Sequence, residues 1–221
     1  MKLSEQTLSF LKNFSTINQS LLFKQGSRLR TISVMKNILA EVSIDEELPK
    51  DFGIYDLNQF LNGLSLHHDP ELDFANENHV LIREGKMRSQ YFFADPAVII
   101  TPPDKPITLP TEDVSFDLKT DQLDKLLKAA AIYQLPDLAV VGGGGVVKIL
   151  VRDKKNDTSN SFSIVVGETD KEFSFNFKVE NIKILPGSYN VVVSSKLLSR
   201  FRSANHDLTY YIALEPDSTL G

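Results

Sequence analysis

Between residues 113 and 153, apolar positions first alternate with polar ones, then recur at three- and four-residue steps, then alternate again. Val114, Phe116 and Leu118 alternate with Ser115 and Asp117, the period of a strand with one buried face. Thr120 is placed to cap a helix, and Asp121 puts negative charge where the helix dipole favours it. Leu123, Leu126, Leu127, Ala130 and Gln134 then recur at helical steps, so the stripe through Ala130 is expected to face a core, with Asp121, Lys125, Lys128 and Ile132 opposite. Pro136 is expected to stop the helix, because it lacks an amide and clashes one turn back. Residues 138–141 and 146–151 read as strands joined by Gly142–Gly145, where glycine supplies positive φ.

Looser copies of this unit occupy the rest of the chain. Ser4 caps a first helix with Leu8, Leu11 and Phe14 inward, Phe10 at the margin and Lys12 outward. Strands are predicted at 20–24, 28–35 and 38–44, and Asp45-Glu46-Glu47 as a solvated loop. After a short strand at 52–55, Asp56 caps a second helix with Leu57, Phe60, Leu61 and Leu64 buried and Asn58, Gln59 and Asn62 open. Further strands are expected at 72–74, 80–83 and 87–93, then at 162–166, 173–179, 189–193, 196–202 and 207–214. A short fourth helix is predicted at 181–185, ended by Pro186-Gly187, and residues 215–221 as a polar tail. Helix starts near 4, 56, 120 and 180 suggest two domains with two strand–helix–strand units apiece.

Residues 94–112 change texture: five prolines in nineteen residues deny both a helix and a central strand. The domain boundary falls here, dividing the chain into 1–104 and 105–221. Val98, Ile99, Ile100, Ile107 and Leu109 are too many apolar residues for a simple tether, so part of this connector is expected to pack on a domain.

The chain of 221 residues has 42% apolar content, enough for two real cores, and no cysteine, which excludes disulfides and thiol catalysis. The N-terminus is amphipathic and no apolar run is long enough to span a bilayer, so a soluble, unprocessed chain without a membrane partner is expected. Net charge is −5, from 11 basic and 14 acidic residues in 1–110 and 13 and 15 in 111–221. A protein holding DNA by a broad basic surface would be far more positive.

Catalytic and metal chemistry is not suggested. Gly142–Gly145 runs into Val-Val-Lys-Ile without the Gly-Lys-Ser/Thr of a phosphate loop, so a hairpin turn is expected. His67 and His68 lack a spaced third ligand; His79 and His206 have no nucleophile around them; Ser194, Ser195 and Ser199 lack an exposing elbow. No enzyme activity, metal or cofactor is expected. The lysines on outward helix faces are ordinary solubilising residues unless the helices share one face of an assembly, where they would meet phosphates.

Five segments carry a resemblance: LKNFSTIN at 11–18, IYDLNQFL at 54–61 with LSL at 64–66, ADP at 94–96 leading to KPI at 105–107, NIKILPGSYNVVV at 181–193, and YIALEPDST at 211–219. Their order along the whole chain resembles the sliding clamps of T4-like bacteriophages. That resemblance implies an α+β DNA-clamp fold: two similar domains, each with two helix-plus-antiparallel-strand units, helices lining a ring and sheets outside. It implies a homotrimer closed head to tail through edge strands, encircling double-stranded DNA without sequence preference and tethering the replicative polymerase. It also implies an ATP-dependent clamp loader, the polymerase C-terminal peptide and late-transcription proteins as partners, in the cytoplasm of an infected bacterial host. A structural or interaction ring that does not encircle DNA is the alternative.

On this reading the DNA-facing residues are Lys12, Asn58, Gln59, Lys125, Lys128, Lys178 and Lys183. The partner-facing candidates are Val98, Ile99, Ile107 and Leu109 in the connector, and Ala213, Leu214 and Pro216 near the C-terminus.

Overall fold

Residues 1–221 are described in a computed structural model. The chain divides into two compact units, Met1–Asp104 and Lys105–Gly221.

The first unit runs α1 (Glu5–Ile17), β1 (Leu21–Phe23), β2 (Gly26–Ile32), β3 (Ile38–Leu48), β4 (Phe52–Ile54), α2 (Leu57–Leu64), β5 (Glu71–Asp73), β6 (His79–Glu84) and β7 (Met87–Phe92). β2 and β3 form an antiparallel hairpin, β1 pairs β4, and β5, β6 and β7 form a three-stranded sheet. The two helices pack on each other, and their apolar faces meet in one core with Phe10, Leu11, Phe14, Leu57 and Phe60 all buried. Phe23 and Phe52 stack at 4.5 Å across the β1–β4 pair, and Tyr91 of β7 meets Phe60 edge-on at 5.3 Å.

α1 is turned from its expected orientation: Thr7, Phe10, Leu11, Phe14 and Ile17 are buried, while Leu8 is half-exposed. Thr7 tolerates burial because its hydroxyl donates to Glu46 at 2.6 Å, and Glu46 also accepts the amide of the cap residue Ser4. The acidic stretch 45–47 is therefore part of β3 and not a loop. α2 keeps its expected stripe, capped by Asp56, which accepts the Gln59 amide at 2.9 Å.

The second unit runs β8 (Val114–Leu118), α3 (Thr120–Tyr133), β9 (Asp137–Gly143), β10 (Val146–Arg152), β11 (Phe162–Glu168), β12 (Phe173–Lys178), a 3-10 turn at Val179–Asn181, β13 (Tyr189–Ser194), β14 (Leu198–Ser203), β15 (Leu208–Ala213) and β16 (Thr219–Leu220). One sheet has the order β11-β10-β9-β12-β16, and β15, β14, β13 and β8 are neighbours in another. Gly144 and Gly145, at φ +60° and +85°, form the two-residue turn of the β9–β10 hairpin. Gly142 is required for space: a Cβ there would lie 2.2 Å from the Phe173 ring on β12.

Several expectations for this unit are corrected. Lys119, not Thr120, precedes the helix, and its amide is satisfied by Gln122 Oε1 at 2.9 Å. Leu123, Leu126, Ala129 and Ala130 form the buried stripe, with Leu127 half-buried and Gln134 exposed. The helix ends because Gln134 adopts a left-handed conformation that returns the Leu135 amide to the Ala130 carbonyl at 2.8 Å; Pro136 lies beyond the end. The fourth helix is reduced to the 3-10 turn, since Ile182 and Ile184 bury alternately in extended chain. The C-terminal tail is not loose: β16 pairs with β12, and the Gly221 amide donates to Glu172 O at 2.9 Å.

Candidate nucleic-acid interface and partner patch

α1 and α3 each turn a lysine-bearing face to solvent because the opposite face is consumed by the core. Lys12 is exposed between the buried residues Leu11 and Phe14. Lys125 and Lys128 are exposed opposite Leu123, Leu126 and Ala130. Lys125 lies 3.2 Å from Asp121 one turn back, a pair exposed on both sides and therefore weak. Lys12 and Lys128 have no acidic partner within ion-pair distance. The corresponding face of α2 carries no charge; Asn58, Gln59 and Asn62 are exposed there.

The other two predicted lysines sit differently. Lys178 Nζ lies 2.6 Å from Oδ1 of the buried Asp137, so its charge is matched inside the unit instead of being offered outward. Burial pushes the Asp137 carboxyl up, but the hydrogen bonds from Lys178 and the Lys154 amide, with the charges of both lysines, outweigh it and hold the carboxyl below its ordinary value. Its hydrogen bond to Asp137 raises the Lys178 amine in turn. Lys183 is half-buried on the extended segment that replaces the fourth helix.

The partner-facing candidates divide in the same way. Val98 lies in a 3-10 turn, Pro96–Val98, and is 58% exposed; Pro216 is also exposed. Ile99 and Leu214 are buried, so neither is presented to a partner. Ile99 packs over Gly53, where a Cβ would come within 2.6 Å of its side chain, and Gly53 O accepts the Ala94 amide at 2.8 Å. Ile107, Leu109 and Ala213 are half-buried, and the Ile107 carbonyl accepts the Tyr211 hydroxyl at 3.3 Å.

The connector follows β2 in antiparallel sense: Arg30 Nη1 donates to Pro103 O at 2.8 Å, and Asn18 bridges Ile32 O and Ile100 O. This brings Ile100 beside Ile32 at the end of β2, where the chain turns into β3, with the exposed Val98 two residues before Ile100 in the connector. At that turn Val34 and Met35 are 63% and 81% exposed. Sequence reasoning placed both in a strand and missed them. The available signal was Ser33 and Asn37: the Ser33 hydroxyl accepts the amides of Asn37 and Ile38, each at 3.1 Å, and closes the tip. Four exposed apolar side chains thus lie within three residues of the carbonyls that Asn18 joins, a feature that marks interaction surfaces.

Elsewhere, an open depression of ≈ 500 Å³ is lined by Met1, Pro49, Phe74 and Arg83, where Arg83 is paired with Asp73 at 3.2 Å. His67, at the end of α2, is buried with Nε2 2.9 Å from the Ser89 hydroxyl. No cluster of three or more His, Cys, Asp or Glu side chains is arranged to hold a metal ion, and no helix is long and apolar enough to cross a membrane.

Comparison with known proteins places this arrangement. Residues 2–101 match the family described as "DNA polymerase processivity factor", and residues 115–216 that described as "gp45 sliding clamp, C terminal". The sliding clamp of Vibrio phage KVP40 is 33% identical over 222 residues, spanning 97% of this chain and 99% of that one. The sliding clamp of Escherichia phage RB69 is 33% identical over 228 residues, spanning 99% of each. The fold superposes on A. fulgidus PCNA, solved with the C-terminal region of FEN-1, at a TM-score of 0.70 and 14% identity over 99% of this chain and 98% of that one, a likeness of fold alone. The chain therefore belongs to the sliding-clamp family, the non-catalytic DNA polymerase processivity factors of T4-like bacteriophages.

Proposed function

We propose that three copies of this chain close head to tail around duplex DNA and hold the replicative polymerase on it. The observation that carries this reading is the set of lysines, Lys12, Lys125 and Lys128, on helix faces left over once each core is formed. Facing a channel, they meet phosphates weakly and without regard to sequence, which permits sliding. Retention then comes from topology, so the net charge of −5 is no obstacle.

Closure uses two different sheet edges. β7 and β11 are terminal strands of their sheets, one in each unit, and β11 exposes Val165 at 54%. Unpaired edges are templates for pairing with another chain, and joining one kind of edge to the other generates a ring. The patch of Val34, Met35, Val98 and Ile100 receives the C-terminal peptide of the polymerase, and late-transcription proteins compete for the same place. An ATP-driven loader mounts the ring, in the cytoplasm of the infected bacterium.

The test is retention on DNA after loader-assisted assembly. Persistence on closed circles with rapid loss from linear molecules is expected; equally rapid escape from both would sink encirclement and leave a ring that only binds proteins.

A further inference from the structure

The LKNFSTIN segment ends in a residue whose side chain serves neither the helix nor the DNA-facing surface. Asn18 is 5% exposed, and its backbone amide closes α1 on Phe14 O at 3.0 Å. Its side-chain amide spends both ends on other segments. Nδ2 donates to Ile32 O at 2.9 Å and to Ile100 O at 3.4 Å, while Oδ1 accepts the amide of Ser20 at 3.0 Å and its hydroxyl at 3.3 Å.

The two carbonyls belong to the two halves of the apolar patch. Ile32 is the last residue of β2 before the tip that carries Val34 and Met35, and Ile100 closes the connector segment that carries Val98. The connector near Ile100 has no backbone ladder to β2; Pro102 and Pro103 cannot donate one. Beside the apolar seat of Ile99 over Gly53, its hydrogen bonds there are those from the Asn18 amide and, three residues on, the Arg30 guanidinium. A side chain with two donors is what this position needs: one carbonyl from each segment can be bound at once, which a hydroxyl or a carboxylate cannot do.

We infer that Asn18 is a positioning residue for partner docking: by tying Ile32 and Ile100 together it sets the spacing between the two apolar strips and registers them to the helix that carries Lys12. This rests on the assignment of the patch to the polymerase tail. A pre-spaced patch binds without first ordering its two halves, so removing the tie weakens binding without removing any contact atom.

The experiment uses the full-length protein and a synthetic peptide of the polymerase carboxy-terminal tail, with affinity by calorimetry, thermal unfolding, and hydrogen exchange across 98–101. Asn18→Ala is expected to bind the peptide roughly five- to tenfold more weakly, the scale of a lost buried hydrogen bond or two, with faster exchange at 98–101. Asn18→Ser, which retains one donor, is expected to fall between it and the parent and serves as the test if Asn18→Ala does not fold. Val34→Ser/Met35→Ser controls the patch itself and is expected to abolish binding. Loss in that control with parental affinity in the folded Asn18 variants would overturn the positioning role and leave the patch standing. Undiminished binding in the control would overturn the patch assignment, and the role of Asn18 with it.

Discussion

The ammonium of Lys178 lies 2.6 Å from the carboxylate of Asp137, a side chain only 1% exposed, and this pair joins the end of β12 to the start of β9. Asp137 also accepts the Lys154 amide at 3.0 Å, and Lys154 reaches Asp217 at 2.7 Å, so the pair anchors the C-terminal segment to its sheet. Lys178→Met leaves the buried carboxylate with only the Lys154 amide and that lysine's more distant charge, and should cost roughly 1–3 kcal/mol. Asp137→Asn combined with Lys178→Met should recover most of that loss in urea unfolding. Retained DNA passage in the folded double variant is expected, because this lysine is engaged inward.

The same pair fixes a pH dependence. The folded carboxyls of Asp137 and Glu46 lie below their ordinary values; for Glu46, burial raises it and the hydrogen bonds from Thr7 and Ser4 outweigh that. Groups depressed on folding stabilise above their unfolded pKa, near 4, and lose that contribution as pH falls through the lower folded value. Lys178 acts in the opposite sense: its contribution is complete below the ordinary amine value of 10.5 and is lost only as pH rises through the raised one. Melting temperature should therefore fall steeply below about pH 4. Glu46→Gln should flatten that acid limb, and an unchanged limb would dismiss the α1 cap as its source.

Helix orientation has a direct test on α3. Leu126 is 0% exposed, so Leu126→Asp places an unpaired charge in the core and should unfold the second unit. Lys125→Glu and Lys128→Glu should each change stability by no more than about 0.5 kcal/mol while impairing loading or retention on DNA. The reverse ranking by thermal unfolding and DNA retention would mean the helix faces are assigned the wrong way round.

The β9–β10 hairpin predicts an order among neighbouring glycines. Gly142→Ala drives a methyl into the Phe173 ring and should cost about 1–3 kcal/mol, as overpacking does. Gly144→Ala meets open space and suffers only from its positive φ, so it should cost about 1 kcal/mol. Equilibrium denaturation of the two variants compares them directly.

Edge pairing is tested at β11. Val165→Lys adds a charge to an edge strand, a device that discourages strand addition, and should shift a trimer toward monomer in light scattering with the melting of the single chain little changed. A trimer of undiminished stability would exclude this edge from the contact.

How much of this was legible in the sequence depends on how local the deciding interaction is. α2 could be read residue by residue, because Asp56 caps it through an amide three residues on and its four apolar residues sit at helical spacing. The β9–β10 turn was equally plain, since glycine takes two successive positive φ values without a Cβ clash. Residues 45–47 looked like a loop because three acids in a row suit solvent; the Ser4 and Thr7 groups that Glu46 serves lie about forty positions away. α1 was turned for the same reason, as Thr7 is acceptable inside only with that carboxylate present. Lys178 gave no local sign of its engagement, its partner lying 41 residues earlier. The clamp family was recognisable from the order of short segments, yet the exposed turn at Val34 and Met35 was hidden by an apolar run that resembles any strand.

The uncharged outer face of α2, set against the lysines of α1 and α3, bears on how such a ring would respond to ionic strength. In the proposed ring few phosphates are neutralised at any instant, and Lys125 is already shared with Asp121. Few condensed counterions are then released when DNA enters, so raising salt should change the ring's diffusion along the duplex far less than it weakens proteins that grip the backbone.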